Sequence, residues 1–215
     1  MTLNFAMHKT IMVQILKDIY SDQSISPHLG FKGGTAAHLF YNLNRDSVDL
    51  DFDLLEESKE KIVFGTVRKI IAQYGKIKDS KIKRFNLFNE ISYDEMSQNI
   101  KIEISRRDIG SGYEVKNLLG LSMLVMKRED MFANKLLAFE KRFGKAKRDI
   151  YDVYFFYKNN WPINTKIIEE HGFSYTGLLK KCIEKLENLE NRYILSGLGE
   201  LLTQSQKDWV RDKLK

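Results

Sequence analysis

Residues 31–53 read FKGGTAAHLFYNLNRDSVDLDFD, and this stretch decides the fold. Its second half alternates, with apolar Val48, Leu50 and Phe52 set between Ser47, Asp49, Asp51 and Asp53. Period two marks a strand with one apolar and one acidic face. Residues two apart on such a strand lie about 6.5–7 Å from each other, so the carboxylates of Asp49 and Asp51 can share divalent cations. Mg²⁺ favours such oxygen ligands, held by one or two carboxylates together with substrate phosphates. An exposed edge strand with an acidic outer face gives the same pattern, and Asp-x-Asp also serves glycosyltransferases, phosphatases and calcium sites. The first half of the stretch narrows the choice. Gly33-Gly34-Thr35 falls between a predicted strand, 28–32, and a predicted helix running to about Asn42 that Thr35 can cap. Glycine there admits close approach of a ligand to the backbone, and a helix N-terminus offers free N–H groups to a phosphate. A Gly-Gly turn alone is common. One helix ahead of an acidic strand, it brings a phosphate site and a metal site to neighbouring strands.

Working outward, Leu3, Met7, Ile11, Ile15 and Ile19 repeat at helical spacing, so an amphipathic helix opens the chain. A second helix is predicted over 57–74. Residues 76–107 read as three strands, with turns near Phe88–Ile91 and Asp94–Gln98. The last of them, 99–106, alternates Ile100, Ile102 and Ile104 with Lys101, Glu103 and Ser105. A short strand follows near Met123–Met126, and then helices over 128–142, 147–158, 163–170, 174–188 and 206–214. The predicted class is α+β: a lobe with a mixed β-sheet and flanking helices over residues 1–120, then a mainly helical lobe over 121–215 that completes the site.

The 215 residues suffice for a substantial core, and 43% hydrophobic with 30% charged residues is ordinary for a folded chain. No apolar run approaches the roughly 18–20 residues of a membrane span, and residues 1–8 do not resemble a signal peptide. The single cysteine, Cys182, excludes an internal disulfide and a Cys-rich metal site, which fits a reducing cytosol. The net charge is +6, with basic segments at 76–84 (KIKDSKIKR) and 141–148 (KRFGKAKR). Such charge suits the phosphates of RNA, DNA or a nucleotide, and equally a solvated lysine-rich surface.

The run FKGGTAAHLFYNLNRDSVDLDF resembles the signature of the AbiEii/AbiGii-type toxins, a bacterial branch of the polymerase-β-like nucleotidyltransferase superfamily. The matching positions are Lys32, Gly33, Gly34, Thr35, Tyr41, Arg45, Ser47, Asp49, Asp51 and Phe52. The resemblance implies a nucleotidyltransferase-fold lobe that moves a nucleoside monophosphate from an NTP to an acceptor hydroxyl, with Mg²⁺ or Mn²⁺ as cofactor. It implies that Asp49 and Asp51 hold the metals, that Glu103 completes the site or acts as base, and that Gly33, Gly34, Thr35 and Ser47 bind the nucleotide. It further implies the toxin of a type IV toxin–antitoxin or abortive-infection system, with RNA, in particular tRNA, as acceptor. A cognate antitoxin, often a winged-helix DNA-binding protein, is then the expected partner.

The later run 128–156, REDMFANKLLAFEKRFGKAKRDIYDVYFF, is similar to the family's Lys-Leu helix and its Arg-Asp-x-x-Asp motif. Lys135 could reach the triphosphate as a point charge, and Arg142, two turns on, shares its face. It could also snorkel from an amphipathic helix. Asp149 and Asp152 are helical neighbours; the family reading gives one of them, here Asp152, a role in catalysis or in fixing Lys135, while an Arg148–Asp152 ion pair is the structural alternative. His8, His28, His38 and His171 show no metal-ligand spacing. Tyr151, Tyr154, Phe155 and Tyr157 read as helix-packing residues. Two rivals stand beside nucleotidyl transfer: another Asp-x-Asp enzyme (a glycosyltransferase or nuclease), and a nucleotide-binding regulator without turnover.

Overall fold

A computed structural model describes residues 5–94, 99–143, 147–190 and 194–214. They divide into two compact units. The first comprises residues up to 42, 47–109 and 113–126; the second comprises 43–46, 110–112 and the chain from 127 onward.

The first unit is built on a seven-stranded mixed sheet. Its strands are β1 (Leu29–Lys32), β2 (Asp49–Leu54), β3 (Lys76–Ile82), β4 (Asn86–Ser92), β5 (Ile100–Ser105), β6 (Tyr113–Leu118) and β7 (Leu121–Met126). The spatial order is β3-β4-β5-β2-β1-β7-β6. β2 runs antiparallel to β1 and parallel to β5, so the acidic strand is central. Alternation along these strands gives the sheet two unlike faces. One carries Phe31, Leu50, Phe52, Leu87, Ile91, Ile100, Ile102 and Ile104, all fully buried. Helices α1 (Phe5–Ser21) and α3 (Glu60–Ile71) contribute Met12, Ile15, Leu16, Ile19, Val63, Val67 and Ile71 to the same core. Each such buried side chain is worth roughly 1.5–3 kcal/mol of transfer free energy, which ties the register of β2 to the core. A slip of one residue would bury the aspartates and expose Leu50 and Phe52.

Helix α2 (Gly33–Tyr41) begins directly after β1. It starts two residues before the capping position expected from the sequence. Lys32 is the N-cap residue and makes no side-chain cap bond, and Thr35 lies inside the first turn. The predicted helix over 57–74 is a short 3₁₀ turn, Glu57–Lys59, followed by α3.

Two differences from the sequence reading have clear physical causes. The β3–β4 turn lies at residues 83–85 and not at Phe88–Ile91, which are inside β4. Asn89 looked like a turn residue, yet it is buried and its Oδ1 accepts from the Ser80 hydroxyl at 2.8 Å across the ladder. β6 escaped because it is an edge strand without a buried apolar face, and Val115 on it is 64% exposed. Its hairpin with β7 turns at Leu119-Gly120, with φ of +52° and +82°. That is the geometry a tight hairpin needs, written with a leucine where asparagine is usual. The other expected turn, near Asp94–Gln98, falls largely on 95–98, outside the described residues, as do 144–146 of the second basic segment.

The second unit consists of helices α4 (Arg128–Arg142), α5 (Arg148–Lys158), α6 (Thr165–Glu170), α7 (Tyr175–Glu187) and α8 (Gln204–Lys213). Met131, Phe132, Leu136, Phe139, Ile150, Phe156, Ile168, Leu178 and Cys182 are buried in it. Phe156 stacks on Trp161 at 4.0 Å between ring centroids, and Tyr154 packs on Trp209 at 4.7 Å. Of the aromatic residues read as packing groups on α5, Tyr157 departs, being 74% exposed. Asn164, Ser174 and Thr203 cap α6, α7 and α8, satisfying backbone N–H groups that the helices leave open. Among the described residues no helix is long and apolar enough to cross a membrane.

Candidate active site

The ladder places the acidic residues and their neighbours on the second face of the sheet. Lys32 is directly opposite Asp51, Asp51 is opposite Glu103, and Asp49 is opposite Lys101. Directly paired residues share a face, so Asp49, Asp51, Asp53 and Glu103 all project to one side with Lys32 and Lys101 among them. The cations answer the repulsion that successive aspartates on one strand face create. Lys32 Nζ lies 2.5 Å from Asp53 Oδ1, and the Tyr113 hydroxyl donates to Asp53 Oδ2 at 2.6 Å. Asp53 is therefore held from two sides and buried, whereas Asp49 and Asp51 are half-buried.

The Gly-Gly element is fitted to Asp51. Gly33 has φ +79°, and a Cβ built on it would stand 2.3 Å from Asp51 Oδ2. Only glycine serves both constraints, the left-handed backbone and the space for the carboxylate. Thr35 is buried and donates to the carbonyl of Asp49; its Oγ1 also lies 2.9 Å from Ser47 Oγ. The first turn of α2 is thereby fastened to the acidic strand through Thr35 and Ser47, and the helix starts directly from the end of β1, where Lys32 is paired with Asp51. On the other side, Asn86 Nδ2 donates to Glu103 Oε2 at 2.9 Å, orienting that carboxylate.

His8 on α1 was not singled out as a site residue. Its buried ring sits between the Val48 carbonyl, 3.0 Å from Nε2, and the Tyr93 hydroxyl, 2.8 Å from Nδ1. A ring nitrogen facing a carbonyl carries the proton, so Nδ1 accepts from Tyr93. Burial lowers the His8 pKa and keeps the ring neutral. It braces the residue that leads into Asp49.

The oxygen donor set suits a hard cation such as Mg²⁺. The absence of a Cβ on Gly33 is what gives the Asp51 carboxylate its room on that side. Among the described residues no three His, Cys, Asp or Glu side chains form a ready-made metal cluster. A cation at Asp49 and Asp51 would therefore complete its shell with substrate phosphates and water, the usual mode for Mg²⁺.

The second unit holds a separate network of charge. Asp152 receives Arg45 as a fork, with Nε at 2.6 Å and Nη2 at 2.8 Å, and Lys135 Nζ at 2.8 Å. Lys135 also donates to Asp149 Oδ1 at 2.8 Å, and Arg142 reaches Asp149 Oδ2 at 2.9 Å. Lys135 and Arg142 do share a helix face, and Asp149 is what they share. Burial would push the Asp152 carboxyl up, but Arg45 and Lys135 outweigh it and hold the pKa at about 2. For Lys135, burial opposes the charge, while Asp152 and Asp149 overcome it and raise the pKa. Arg45 belongs to the short segment 43–46 that clusters with this unit. The Asn44 carbonyl in that segment accepts from the Tyr151 hydroxyl and from Gln206, both at 2.7 Å. The sequence signal for Arg45 was present, since it stands in the family signature. Its partner lies 107 positions away and no local spacing reveals it.

A mixed sheet with a glycine-led helix beside a central acidic strand is the architecture of nucleotidyltransferases. The fold is similar to the crystal structure of JHP933 from Helicobacter pylori, with TM-score 0.55 and 22% identity, covering 99% of this chain and 91% of that one. It is also similar to the crystal structure of a candidate nucleotidyltransferase from H. pylori, with TM-score 0.57 and 22% identity, covering 100% and 94%. Among curated proteins none matches the chain by sequence. The family model of the nucleotidyl transferase AbiEii toxin of type IV toxin–antitoxin systems matches residues 14–213, and the chain belongs to that family. It is by that membership a nucleotidyltransferase.

Proposed function

We propose that this chain is a Mg²⁺-dependent enzyme that transfers a nucleoside monophosphate from an NTP to a hydroxyl of RNA, with tRNA the favoured acceptor. The observation that carries the reading is the rung Lys32–Asp51–Glu103, with the Gly33 cradle on one side and Asn86-oriented Glu103 on the other. The N–H groups opening α2 and the Ser47 hydroxyl receive the triphosphate. Asp49 and Asp51 hold the cation, for which Mn²⁺ can substitute. Bound there with the NTP, it neutralises phosphate charge and lowers the pKa of the attacking hydroxyl. Glu103 takes the acceptor proton, the acceptor oxygen bonds to the α-phosphorus, and the bond to the β-phosphate breaks to release pyrophosphate.

Lys135, held by Asp149 and Asp152 within the second unit, takes its proposed role in NTP use from the family motif in which it stands. A carboxyl held at about 2 is a weak base, so Asp152 serves by holding Arg45 and Lys135 and not by moving a proton. Family membership in a type IV toxin–antitoxin system supports a cognate antitoxin as partner, and the proposed place of action is the cytosol.

The test is incubation with total RNA, Mg²⁺ and each NTP labelled at the α- or the γ-phosphate. Label should enter RNA from the α-position alone. Label from the γ-position would mean kinase chemistry, and no label in any acceptor would refute transfer. In the same assay Lys135→Ala should raise the apparent KM for NTP, and an unchanged KM would retire its role.

A further inference from the structure

The rung that carries the catalytic carboxylates continues across the sheet. Glu103 is directly opposite Phe88 on β4, and Phe88 is opposite Lys81 on β3. Lys81, Phe88, Glu103, Asp51 and Lys32 therefore project to one face in a single row. The β3–β4 turn, residues 83–85, lies just beyond this row along β3 and β4. Lys83 Nζ stands 3.7 Å from the centroid of the Phe88 ring, beside Glu103. Next to it Phe85, 46% exposed, lies between two guanidinium groups, Arg84 at 4.9 Å and Arg107 at 4.4 Å from its centroid.

This turn is built and held. Lys83 N–H donates to the Asn86 carbonyl at 2.8 Å, and Arg106 N–H donates to the Phe85 carbonyl at 2.9 Å. The Arg106 side chain donates to the carbonyls of Lys83 and Arg84 at 3.2 and 3.4 Å. Arg106 Nε lies 2.6 Å from Glu60, close enough to pair although not aligned as a hydrogen bond, and Glu57 stands 3.8 Å from Nη2. Arg106 is thus scaffold, and Lys81 is paired with Asp79 at 2.6 Å. Arg84 and Arg107 remain at the surface against the Phe85 ring and Lys83 at the surface over the Phe88 ring, with Asp108 the next residue after Arg107 in the chain. A basic turn can simply protect a sheet edge. Edge protection does not account for an exposed phenylalanine between arginines at the end of the strand that carries Glu103.

In-line displacement puts the attacking and leaving oxygens on opposite sides of the phosphorus. The α2 N-terminus, which receives the leaving pyrophosphate, is on the β1 side of β2. Glu103, which receives the acceptor proton, is on the β5 side, and the turn adjoins the end of β5 at Arg106, three residues along from Glu103, about 10 Å. We infer that Lys83, Arg84, Phe85 and Arg107 form the acceptor platform, where single-stranded RNA adjoining the reacting hydroxyl stacks a base on Phe85 and sets phosphates against the three cations. Unstacked bases on aromatic and guanidinium planes are how proteins hold single strands, whereas a duplex keeps its bases inside. The inference rests on the nucleotidyl-transfer reading for its direction, and its test is read separately.

A fluorescent short single-stranded oligoribonucleotide is titrated by anisotropy over a range of salt, and transfer to the same RNA is timed. Phe85→Ala should weaken binding roughly ten- to hundredfold with the salt slope unchanged. Combined Lys83→Ala, Arg84→Ala and Arg107→Ala should reduce the log–log salt slope by about 2, at about 0.7 per phosphate contact. Both variants should raise KM for RNA while the KM for NTP holds, with thermal melts confirming the fold. Wild-type RNA affinity in both variants overturns the platform and leaves nucleotidyl transfer standing. Loss of RNA binding in the variants of an enzyme that transfers nothing supports the platform and removes the transfer reading. Variants that keep RNA but lose the cognate antitoxin, or that lose NTP affinity in parallel, also overturn it.

Discussion

At the scale of single residues, Gly33 is the position where backbone and chemistry are least separable. Its φ of +79° costs an L-residue about 1–2 kcal/mol, and its missing Cβ is what leaves Asp51 room. Gly120 offers a control, since it has φ +82° and nothing within 4 Å of a built Cβ. Gly120→Ala should lose about 1–2 kcal/mol in denaturant unfolding, and Gly33→Ala at least as much, since its Cβ also meets Asp51. Only Gly33→Ala should lose transfer activity, by about a hundredfold or more, because misplacing a reacting group by about 1 Å costs that much. Equal activities would mean that the Gly33 cradle does not set the position of Asp51. The sequence made Gly33, Asp49 and Asp51 legible, because a glycine pair and an alternating strand are local patterns. It did not reveal that Lys32 answers Asp53, or that Tyr113 closes the same carboxylate from 60 positions away. Such pairs are set by register, and register is a property of the sheet.

Among the elements, α4, α5 and the segment 43–46 are joined by one buried charge cluster. Asp152 is fully buried, and removing its charge strands Arg45 and Lys135 without their shared partner. Asp152→Asn should therefore destabilise the protein at neutral pH by about 3 kcal/mol or more. The pH dependence has a definite sign. The folded pKa of about 2 is below the ordinary 3.8, so the carboxylate's stabilisation is present above about pH 4 and lost as pH falls through about 2. That shift corresponds to about 2 kcal/mol. The gap in denaturant midpoint between wild type and Asp152→Asn should narrow across that window. A gap constant from neutral pH down to pH 2 would contradict the account. Helical spacing disclosed most of these elements, since long amphipathic helices carry their own period. β6 and the β3–β4 turn stayed hidden, the first for want of a buried face and the second because Lys83–Phe85 holds no glycine, proline or asparagine.

On the scale of the whole molecule, the central place of β2 organises the rest. It separates the β1 side, where α2 begins and where the proposal places the triphosphate, from the side of β5, β4 and the basic turn, where the proposal places the acceptor. The apolar face of the same strand fixes its register in the core, so packing sets the height of the acidic face and its own contacts then hold the carboxylates. The family supplies nucleotidyl transfer as the chemistry, and the rung through Asp51 is where this chain would perform it. The most direct measurement is the yield of labelled RNA and of pyrophosphate from α-labelled NTP, compared between wild type and an Asp51→Ala protein with a matching thermal melt. The account predicts label and pyrophosphate in equal amounts from the wild type and neither above background from Asp51→Ala. Transfer that persists in Asp51→Ala at the wild-type rate would remove this strand from the mechanism.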